Sequence, residues 1–179
     1  MTQSSREEKK KKVIEVLNKA RSMELQAIHQ YMNQHYTLDD MDYGELAANV
    51  KLIAIDEMRH AEAFAERIKE LGGDPTVELA GAVVTRQDPE NIFSFDSEEE
   101  QTAIEAYNQF LLVCRENGDS TTVKLFETII DDEQEHLNYF DSIDGHIKNL
   151  GSSYLARIAG TPADTGGVSK GFINKGEQG

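Results

Sequence analysis

Two short motifs of the form Glu-x-x-His lie far apart in the chain, at Glu57–His60 and at Glu133–His136. Residues three positions apart share one face of a helix, with Cβ atoms about 5–6 Å from each other, so each motif would present a carboxylate beside an imidazole. Carboxylate oxygens and imidazole nitrogens are ligands for divalent metals such as iron. One such motif is more often a coincidence than a metal site, but two in one chain need an explanation.

An internal repeat links the two motifs and adds a glutamate before each of them. Glu24 and Glu100 lie 76 residues apart (100 − 24), and so do Glu57 and Glu133 (133 − 57) and the two histidines (136 − 60). The same offset relates neighbouring residues in pairs: Ala27 and Ala103, Ile28 and Ile104, Tyr31 and Tyr107, Ile53 and Ile129, Asp56 and Asp132, and Phe64 and Phe140. The chain is therefore predicted to contain two copies of one helical hairpin, each with three candidate metal ligands.

These candidate ligands occupy positions in helical stripes that are otherwise apolar. Glu24, for example, falls between Ala20 and Ala27, at the spacing of a buried helix face. Burial of four ionised carboxylates without counter-charges would cost many kcal/mol, whereas two divalent cations would balance their four charges. Two neutral imidazoles would complete the ligand set. The sequence thus predicts a site for two metal ions, formed by Glu24, Glu57, His60, Glu100, Glu133 and His136.

Apolar periodicity and turn-forming residues predict the helices that must position these ligands. The first should run from near Ser5 to about Tyr36, and the second should follow a turn over residues 38–44 and stop at residues 72–73. The third has two competing starts: Asp88-Pro89, with proline at the first helical position, and the capping-box motif Ser97-x-x-Glu100. We favour Asp88-Pro89 because it gives the third helix a length that matches the first. This helix should end near residues 117–118, the fourth should cover 119–150, and a short fifth should cover 152–159.

Residues 73–88 show no clear helical period and would connect the second helix to the third along the length of the bundle. The predicted fold class is therefore all-α: a four-helix bundle with a long crossover between helices 2 and 3 and a short fifth helix. Residues 1–160 would form this single metal-binding domain. Residues 161–179 are rich in turn formers and would form a flexible C-terminal tail.

Composition limits the classes of partner and compartment. A formal net charge of −15 argues against nucleic acid and anionic membranes as partners, and is compatible with metal cations or with simple solubility. The apolar stretch Phe110–Cys114 is too short to span a bilayer, and the N-terminus lacks the apolar region of a signal peptide. The single cysteine, Cys114, excludes an internal disulfide and a CxxC metal site. We predict a cytoplasmic protein without nucleic-acid or membrane partners.

The metal-ligand pattern is that of ferritin-like bundles, and the chain resembles the bacterioferritins from residue 6 to about 160. Four segments carry the likeness: Glu24-Leu-Gln-Ala-Ile-His-Gln-Tyr31, Asp56-Glu-Met-Arg-His-Ala61, Glu100-Gln-Thr-Ala-Ile104 and Asp132-Glu-Gln-Glu-His136. The resemblance implies that Glu57 and Glu133 bridge two irons. Glu24 with His60 would complete one iron site, and Glu100 with His136 the other. It also implies that Tyr31 is a redox-active tyrosine, although plain core packing is the other interpretation of this residue.

The resemblance further implies a ferroxidase, which oxidises Fe²⁺ with O₂ or H₂O₂ and stores ferric mineral inside a shell of 24 subunits built from twofold dimers. Haem would lie at the subunit interface with Met58 as its axial ligand; a methionine that packs at a subunit contact without haem is the other interpretation. An electron donor such as a ferredoxin or a rubredoxin is an implied partner. Leu52 stands where some members carry a histidine that helps to bind iron at the inner surface, although Asp56 remains.

Two other functions are compatible with parts of the pattern. A rubrerythrin-like, peroxide-reducing di-iron protein would use the same ligands, but that family typically adds a cysteine-ligated iron module, which one cysteine cannot form. A haem-bearing electron-transfer or structural bundle with a vestigial metal site is disfavoured because all six ligands are present.

Overall fold

The computed structural model describes residues 3–164 and 171–173, and within these ranges it contains five α-helices and no β-strand. The helices are α1 (Gln3–Asp40), α2 (Gly44–Glu70), α3 (Pro89–Glu116), α4 (Ser120–Leu150) and α5 (Ser152–Ile158). The hairpin of α1 and α2 packs against the hairpin of α3 and α4. The predicted four-helix bundle with a long crossover and a short fifth helix is thus confirmed. None of the described helices is both long and apolar enough to cross a membrane.

Helices α1, α2 and α3 are each followed by a residue with a positive φ angle, and only two of these residues are glycines. This explains why the end of α1 was predicted wrongly. Gly72 after α2 and Gly118 after α3 adopt positive φ angles of 83° and 77°, as is common one or two residues beyond a helix end. The first helix ends in the same way, but the residue with positive φ (64°) is Asp42, and the amide that follows donates to the carbonyl of Leu38. Because no glycine marks this turn, the end of α1 predicted at about Tyr36 is wrong by one turn.

The helix starts follow the expected signals with one exception, which is the start of α1. Pro89 begins α3, as we predicted, and the competing Ser97 lies inside the helix, where its hydroxyl donates to Asp141 at 2.5 Å. The carboxylate of Asp119 accepts the amide of Thr122 at the start of α4. Ser5, the predicted start of α1, also lies inside its helix, which within the described residues already begins at Gln3.

The apolar core is divided into two clusters by a layer of buried polar side chains. One cluster fills the end of the bundle that contains Tyr31, Ile53, Phe93 and Phe140. The other fills the opposite end. Each long helix contributes to both clusters and carries one or two of the predicted metal ligands between its two contributions. The polar layer therefore lies at one common level across the four helices.

The crossover between α2 and α3 lies along α1, held by side-chain amides instead of a strand ladder. Asn18 donates to the carbonyl of Asp74 (3.1 Å) and accepts the amide of Thr76 (2.7 Å). Gln30 makes the same pair of bonds with the amide and carbonyl of Val84, at 2.8 and 2.9 Å. These paired bonds satisfy the backbone of a segment that has no secondary structure of its own.

The predicted flexible tail, residues 161–179, lies only partly within the described residues. Thr161 contacts the start of α2, because its hydroxyl accepts the amide of Glu45 at 2.9 Å. Residues 171–173 lie beside α2, where the amide of Phe172 donates to the carbonyl of Leu52 at 3.2 Å. Residues 165–170 and 174–179 lie outside the described residues. The flexibility of the tail and the domain boundary at residue 160 stay predictions.

Candidate di-metal centre

All six predicted ligands meet in the polar layer and are buried, none of them more than 5% exposed. Their ligand atoms form two groups of four, in each of which the atoms lie within 4.8 Å of one another. One group is Glu24, Glu57, His60 and Glu133, and the other is Glu57, Glu100, Glu133 and His136. Two glutamates are therefore shared by both groups, and each group has one further glutamate and one histidine of its own.

The shared carboxylates each turn one oxygen toward each imidazole. Glu57 Oε2 lies 3.0 Å from Nδ1 of His60, and its Oε1 lies 3.1 Å from Nδ1 of His136. Glu133 Oε1 lies 3.3 Å from Nδ1 of His60, and its Oε2 lies 3.2 Å from Nδ1 of His136. This is the arrangement that a carboxylate needs in order to bridge two cations.

The remaining two carboxylates each lie near one imidazole. Glu24 Oε1 is 3.9 Å from Nδ1 of His60, and Glu100 Oε2 is 3.9 Å from Nδ1 of His136. Each distance joins residues that fall in the same group of four. The centre is therefore built of two equivalent halves: the half with Glu24 and His60, and the half with Glu100 and His136.

The outer nitrogen of each histidine faces an aspartate of the other hairpin. His60 Nε2 lies 3.1 Å from Oδ2 of Asp132, and His136 Nε2 lies 3.6 Å from Oδ2 of Asp56. A carboxylate in this position orients the imidazole so that Nδ1 is free to bind metal. Asp56 and Asp132 are related by the repeat, but neither was predicted to contact a histidine. The repeat was the available signal, but the crosswise partners depend on how the hairpins pack.

Two buried tyrosines hold the unshared glutamates. Tyr31 donates to Oε1 of Glu100 at 2.5 Å, and Tyr107 donates to Oε1 of Glu24 at 2.6 Å. Each bond joins α1 to α3, so it ties one hairpin to the other. Only Tyr31 was predicted to be a site residue, although the 76-residue offset also identifies Tyr107. A redox role for Tyr31 stays a prediction.

In the absence of metal, the charges of the centre are balanced by protons. Burial raises the pKa of Glu24 and Glu100 well above the usual range, and the nearby charges of Glu133 and Glu57 raise it further. Burial alone would lower the pKa of both histidines, but the surrounding carboxylates outweigh it and raise the pKa of His60 and His136 well above the usual value. Burial would also raise the pKa of Glu133, but the histidines on either side lower it. The site therefore strongly favours positive charge at its centre.

The residues present fit a pair of divalent cations. Among the described residues, Oε1 of Glu57 and Oε1 of Glu133 are buried and accept no well-aligned hydrogen bond, although an imidazole nitrogen lies 3.1 and 3.3 Å from them. Such acceptors are rare in folded proteins unless water or an ion satisfies them. Hard carboxylate oxygens with two imidazole nitrogens suit iron, and the four negative charges match two divalent ions.

A cavity of about 280 Å³ reaches the centre between α1 and α3. Its walls include Glu24, Tyr31 and Glu100 on the inside, and Glu99 and Ala80 farther out. The cavity offers a small ion or molecule a path to the unshared glutamates from the side of the bundle on which the crossover lies.

Met58 lies outside the centre, on the outer face of α1 and α2. Its side chain is 52% exposed, in a shallow depression shared with Leu25, Ile28 and Ala61. This agrees with the 100° turn that separates neighbouring residues of a helix, which directs Met58 away from the metal-facing side of Glu57. An exposed methionine among apolar neighbours indicates a surface that another group covers.

Comparison with known proteins identifies the family. The profile of the ferritin-like domain family matches residues 14–150. Bacterioferritin from Desulfovibrio desulfuricans is 68% identical over 169 residues, which are 94% of each chain. An X-ray structure of that bacterioferritin, described in terms of the di-iron site in different catalytic states, matches this structure with a TM-score of 0.90 over 93% of this chain and 98% of that one.

More distant relatives share the same fold over most of the chain. Bacterioferritin from Mycolicibacterium paratuberculosis is 35% identical over 130 residues, which are 73% of this chain and 82% of that one. The structure of the Mycobacterium tuberculosis bacterioferritin has a TM-score of 0.78 at 32% identity, and covers 82% of this chain and 93% of that one. Since the likeness spans both helical hairpins and thus all six buried residues of the centre, the chain belongs to the bacterioferritins.

Proposed function

We propose that this protein stores iron and oxidises Fe²⁺ at the six-residue centre, with Glu57 and Glu133 as bridging ligands. The observation that carries this proposal is the orientation of the two shared carboxylates, each with one oxygen toward each histidine at 3.0–3.3 Å. A surface cluster of acids would not need this crosswise arrangement or this degree of burial. The membership in the bacterioferritins supports the same function.

In this proposal Fe²⁺ is the substrate, and the electrons that it loses pass to O₂ or H₂O₂. The protein supplies four carboxylates and two imidazoles that hold two irons side by side. Hard oxygen ligands favour the ferric product over the ferrous substrate, so the ligand set lowers the free energy of the oxidised state. Tyr31 holds Glu100 in place, and Glu100 could accept the phenolic proton if Tyr31 gave an electron to the O₂ or H₂O₂ that also oxidises the iron.

We also propose the assembly and the second cofactor that the family suggests: a shell of 24 subunits built from twofold dimers, with haem at the interface. The exposed Met58 supports haem binding, since an apolar depression around a thioether is suited to a flat apolar group. A twofold axis would supply Met58 from both subunits, one on each side of the haem iron. The electron donor would be a small redox protein such as a ferredoxin or a rubredoxin.

The test of the oxidation site is Glu57→Ala, which removes a ligand from both irons at once. Stopped-flow measurement of Fe²⁺ oxidation with O₂, and separately with H₂O₂, should show the rapid phase abolished in the assembled shell. Glu66→Ala is the matched control, because Glu66 is an exposed glutamate of the same helix. Unchanged kinetics in assembled Glu57→Ala would contradict the proposal.

The test of haem ligation is Met58→Leu, which keeps the volume of the side chain and removes the sulfur. We expect the variant to lose bound haem, measured by the absorption spectrum of the reduced shell, while the rapid Fe²⁺ oxidation initially persists. Full haem content with an unaltered reduced spectrum would place the ligand elsewhere.

Peroxide reduction of the rubrerythrin type uses the same ligands, and it is the second candidate function. The only cysteine, Cys114, is completely buried in the apolar cluster at the far end of the bundle, so this chain has no cysteine-ligated iron module of its own. The comparison of O₂ and H₂O₂ in the same assay distinguishes the two. A rapid phase with H₂O₂ alone, and no mineral formed, would favour the peroxidase.

A further inference from the structure

The described part of the C-terminal tail, residues 171–173, lies against the Glu100–His136 half of the centre. The amide of Ile173 donates to Oδ2 of Asp56 at 2.9 Å, and the amide of Phe172 donates to the carbonyl of Leu52 at 3.2 Å. Asp56 is the aspartate that faces Nε2 of His136. The tail thus binds directly to the residue behind one of the two histidines. We refer to residues 171–173 as the C-terminal strap.

The strap also covers the imidazole itself. The ring of Phe172 meets the ring of His136 edge to face, with ring centres 6.1 Å apart, and it lies 5.1 Å from the ring of Tyr139. Release of a metal ion from Nδ1 would require the imidazole of His136 to move, and the ring of Phe172 packs against that imidazole. A side chain blocked in this way releases its ligand more slowly.

Gly171 allows the strap to approach so closely. A Cβ atom at this position would lie 1.7 Å from Oδ1 of Asp56 and 2.8 Å from Nη1 of Arg59. Asp56 cannot move away easily, because Arg59 donates to its Oδ1 at 3.1 Å and Ile173 holds its Oδ2. Any residue other than glycine would therefore push the strap off the bundle.

The other half of the centre has no such cover among the described residues. Asp132, the repeat-related counterpart of Asp56, has a side chain that is 31% exposed, whereas that of Asp56 is 4% exposed. The two halves have the same ligand types, and they differ in what lies behind the histidine. His136 has Asp56 and the strap behind it, while His60 has Asp132 at the edge of the solvent.

We propose that the C-terminal strap is a cap that retains the metal ion of the Glu100–His136 half, so that the two metal positions exchange at different rates. This proposal rests on the proposed function, since it requires that the centre bind two ions. The capped position would hold its ion, and the Glu24–His60 position would exchange with the surroundings. Residues 171–173 would slow metal release through their contacts with Asp56 and His136. They are positioning residues, because they contribute no ligand.

Release of Co²⁺ into a chelator tests the cap without any turnover. The shell is loaded with two Co²⁺ per chain, mixed with excess EDTA, and followed by the visible absorption of bound Co²⁺. We expect two phases of equal amplitude in the unaltered protein. In Gly171→Ala the slow phase should become faster by at least about tenfold, as the loss of a hydrogen bond to a buried carboxylate predicts, while the fast phase stays the same.

Two further variants make the result specific. Gly145→Ala is the matched control, because Gly145 lies in α4 with open space around it, and its release phases should not change. Phe172→Ala keeps the backbone bonds of the strap and removes the ring, so it should accelerate the slow phase by less than Gly171→Ala does.

The outcomes separate the cap from the function on which it depends. Two bound Co²⁺ per chain with release rates that Gly171→Ala leaves unaltered would overturn the cap and leave the di-metal centre standing. Equal acceleration of both phases would also overturn the cap, since it would show general loosening. Failure of the unaltered protein to bind two Co²⁺ per chain would overturn the proposed function and the cap with it.

Discussion

The two halves of the metal centre contain identical ligand types, but their surroundings have diverged. Beyond Tyr31, one turn along α1, the amide of Gln34 donates to the fully buried carboxyl of Asp96 at 2.6 Å. The repeat-related position beyond Tyr107 is Phe110, which packs on Phe126 with ring centres 6.2 Å apart. One tyrosine thus borders a buried polar pair, and the other borders a purely aromatic cluster.

This difference shows what an internal repeat retains. Metal coordination requires six donor atoms at one level of the bundle, so the ligand positions are the same in both hairpins. Core packing is less demanding, and a glutamine or a phenylalanine can stand at equivalent places, as Gln34 and Phe110 do, if its neighbours suit it. The predicted ligands are therefore equivalent in the two halves, and the differences lie around them. The neighbours of the two tyrosines differ in type, and Asp56 is more deeply buried than Asp132.

The largest expected effect is the pH dependence of metal affinity, because a metal ion must displace protons from the centre. It tests whether both halves favour positive charge. The pKa of His60 and of His136 is raised, which favours the protonated imidazoles, and a protonated imidazole must lose a proton to bind metal. Glu24 and Glu100, whose pKa values are also raised, must likewise lose any proton that they carry. Each displaced proton should weaken Zn²⁺ binding about tenfold per unit of falling pH, so that the two histidines and the two glutamates together should give well over about a hundredfold. Calorimetry in buffers of different ionisation enthalpy counts the protons released.

The same raised pKa values of the two histidines have the opposite effect on the stability of the metal-free fold, which should decrease as the pH rises. Their contribution to the free energy of unfolding is fully present below about pH 6.5, the unfolded value for histidine, and is lost as pH rises through the folded pKa. A metal-free protein whose melting temperature rises steadily above that pH, with metal rigorously excluded, would contradict the protonated centre.

Removal of an unshared glutamate should disable one half only. Glu24→Ala and Glu100→Ala should each lower the affinity for one of the two Co²⁺ ions by more than about a hundredfold. That factor is the upper limit of the loss expected for residues that merely support a ligand. Co²⁺ titration should give about one tightly bound ion per chain in each variant. If either variant lost both ions, the two halves would not be separable, and the comparison between them would fail.

Removal of the aspartates should produce a smaller and unequal effect. Asp132→Asn and Asp56→Asn keep the shape of the side chain and weaken its hold on the imidazole, with an expected loss of roughly 10–100-fold in metal affinity. We expect Asp56→Asn to lie at the upper end of this range, because Asp56 is buried and bound to the strap. Equal effects in a Zn²⁺ competition assay would indicate that the cover over Asp56 is irrelevant to binding.

The smallest expected effect concerns the polar pair beyond Tyr31. Burial raises the pKa of Asp96 well above its usual value, which favours the neutral carboxyl. A protonated Oδ2 would be a hydrogen-bond donor next to the amide of Gln34, whose Oε1 is buried without a partner among the described residues. Asp96→Ala should leave Gln34 without the carboxyl as a partner and lower the free energy of unfolding by about 1–3 kcal/mol. Asp96→Asn should lie close to the unaltered protein in urea denaturation. The reverse order would contradict a neutral Asp96.

The repeat made the buried cluster of the centre predictable, because it identified six polar residues at apolar positions with one common offset. The helix ends at Gly72 and Gly118 and the start at Pro89 were also predictable, since glycine and proline mark them. The end of α1 was not, because Asp42 adopts a conformation that the sequence would assign to glycine. Local residue types decide such boundaries only where the residue has a strong conformational preference.

The contacts of the histidines could not be predicted from the sequence for a different reason. Asp132 precedes His136 on α4, but it faces His60 on α2, and this pairing depends on how two helices pack. The position of the strap was even less predictable, since three residues of a turn-rich tail show no periodic pattern. Only the packed structure shows that Phe172 reaches His136.

The polar layer that separates the two apolar clusters also fixes how the helices are aligned along their axes. Aliphatic side chains tolerate a helix that slides along its neighbour, because one apolar contact can replace another. A shift of one residue, however, moves a ligand by 1.5 Å and rotates it by 100°, so that it no longer points at the metal. Every long helix contributes at least one ligand at this level. Occupied by two cations, the centre admits only one register of the four helices.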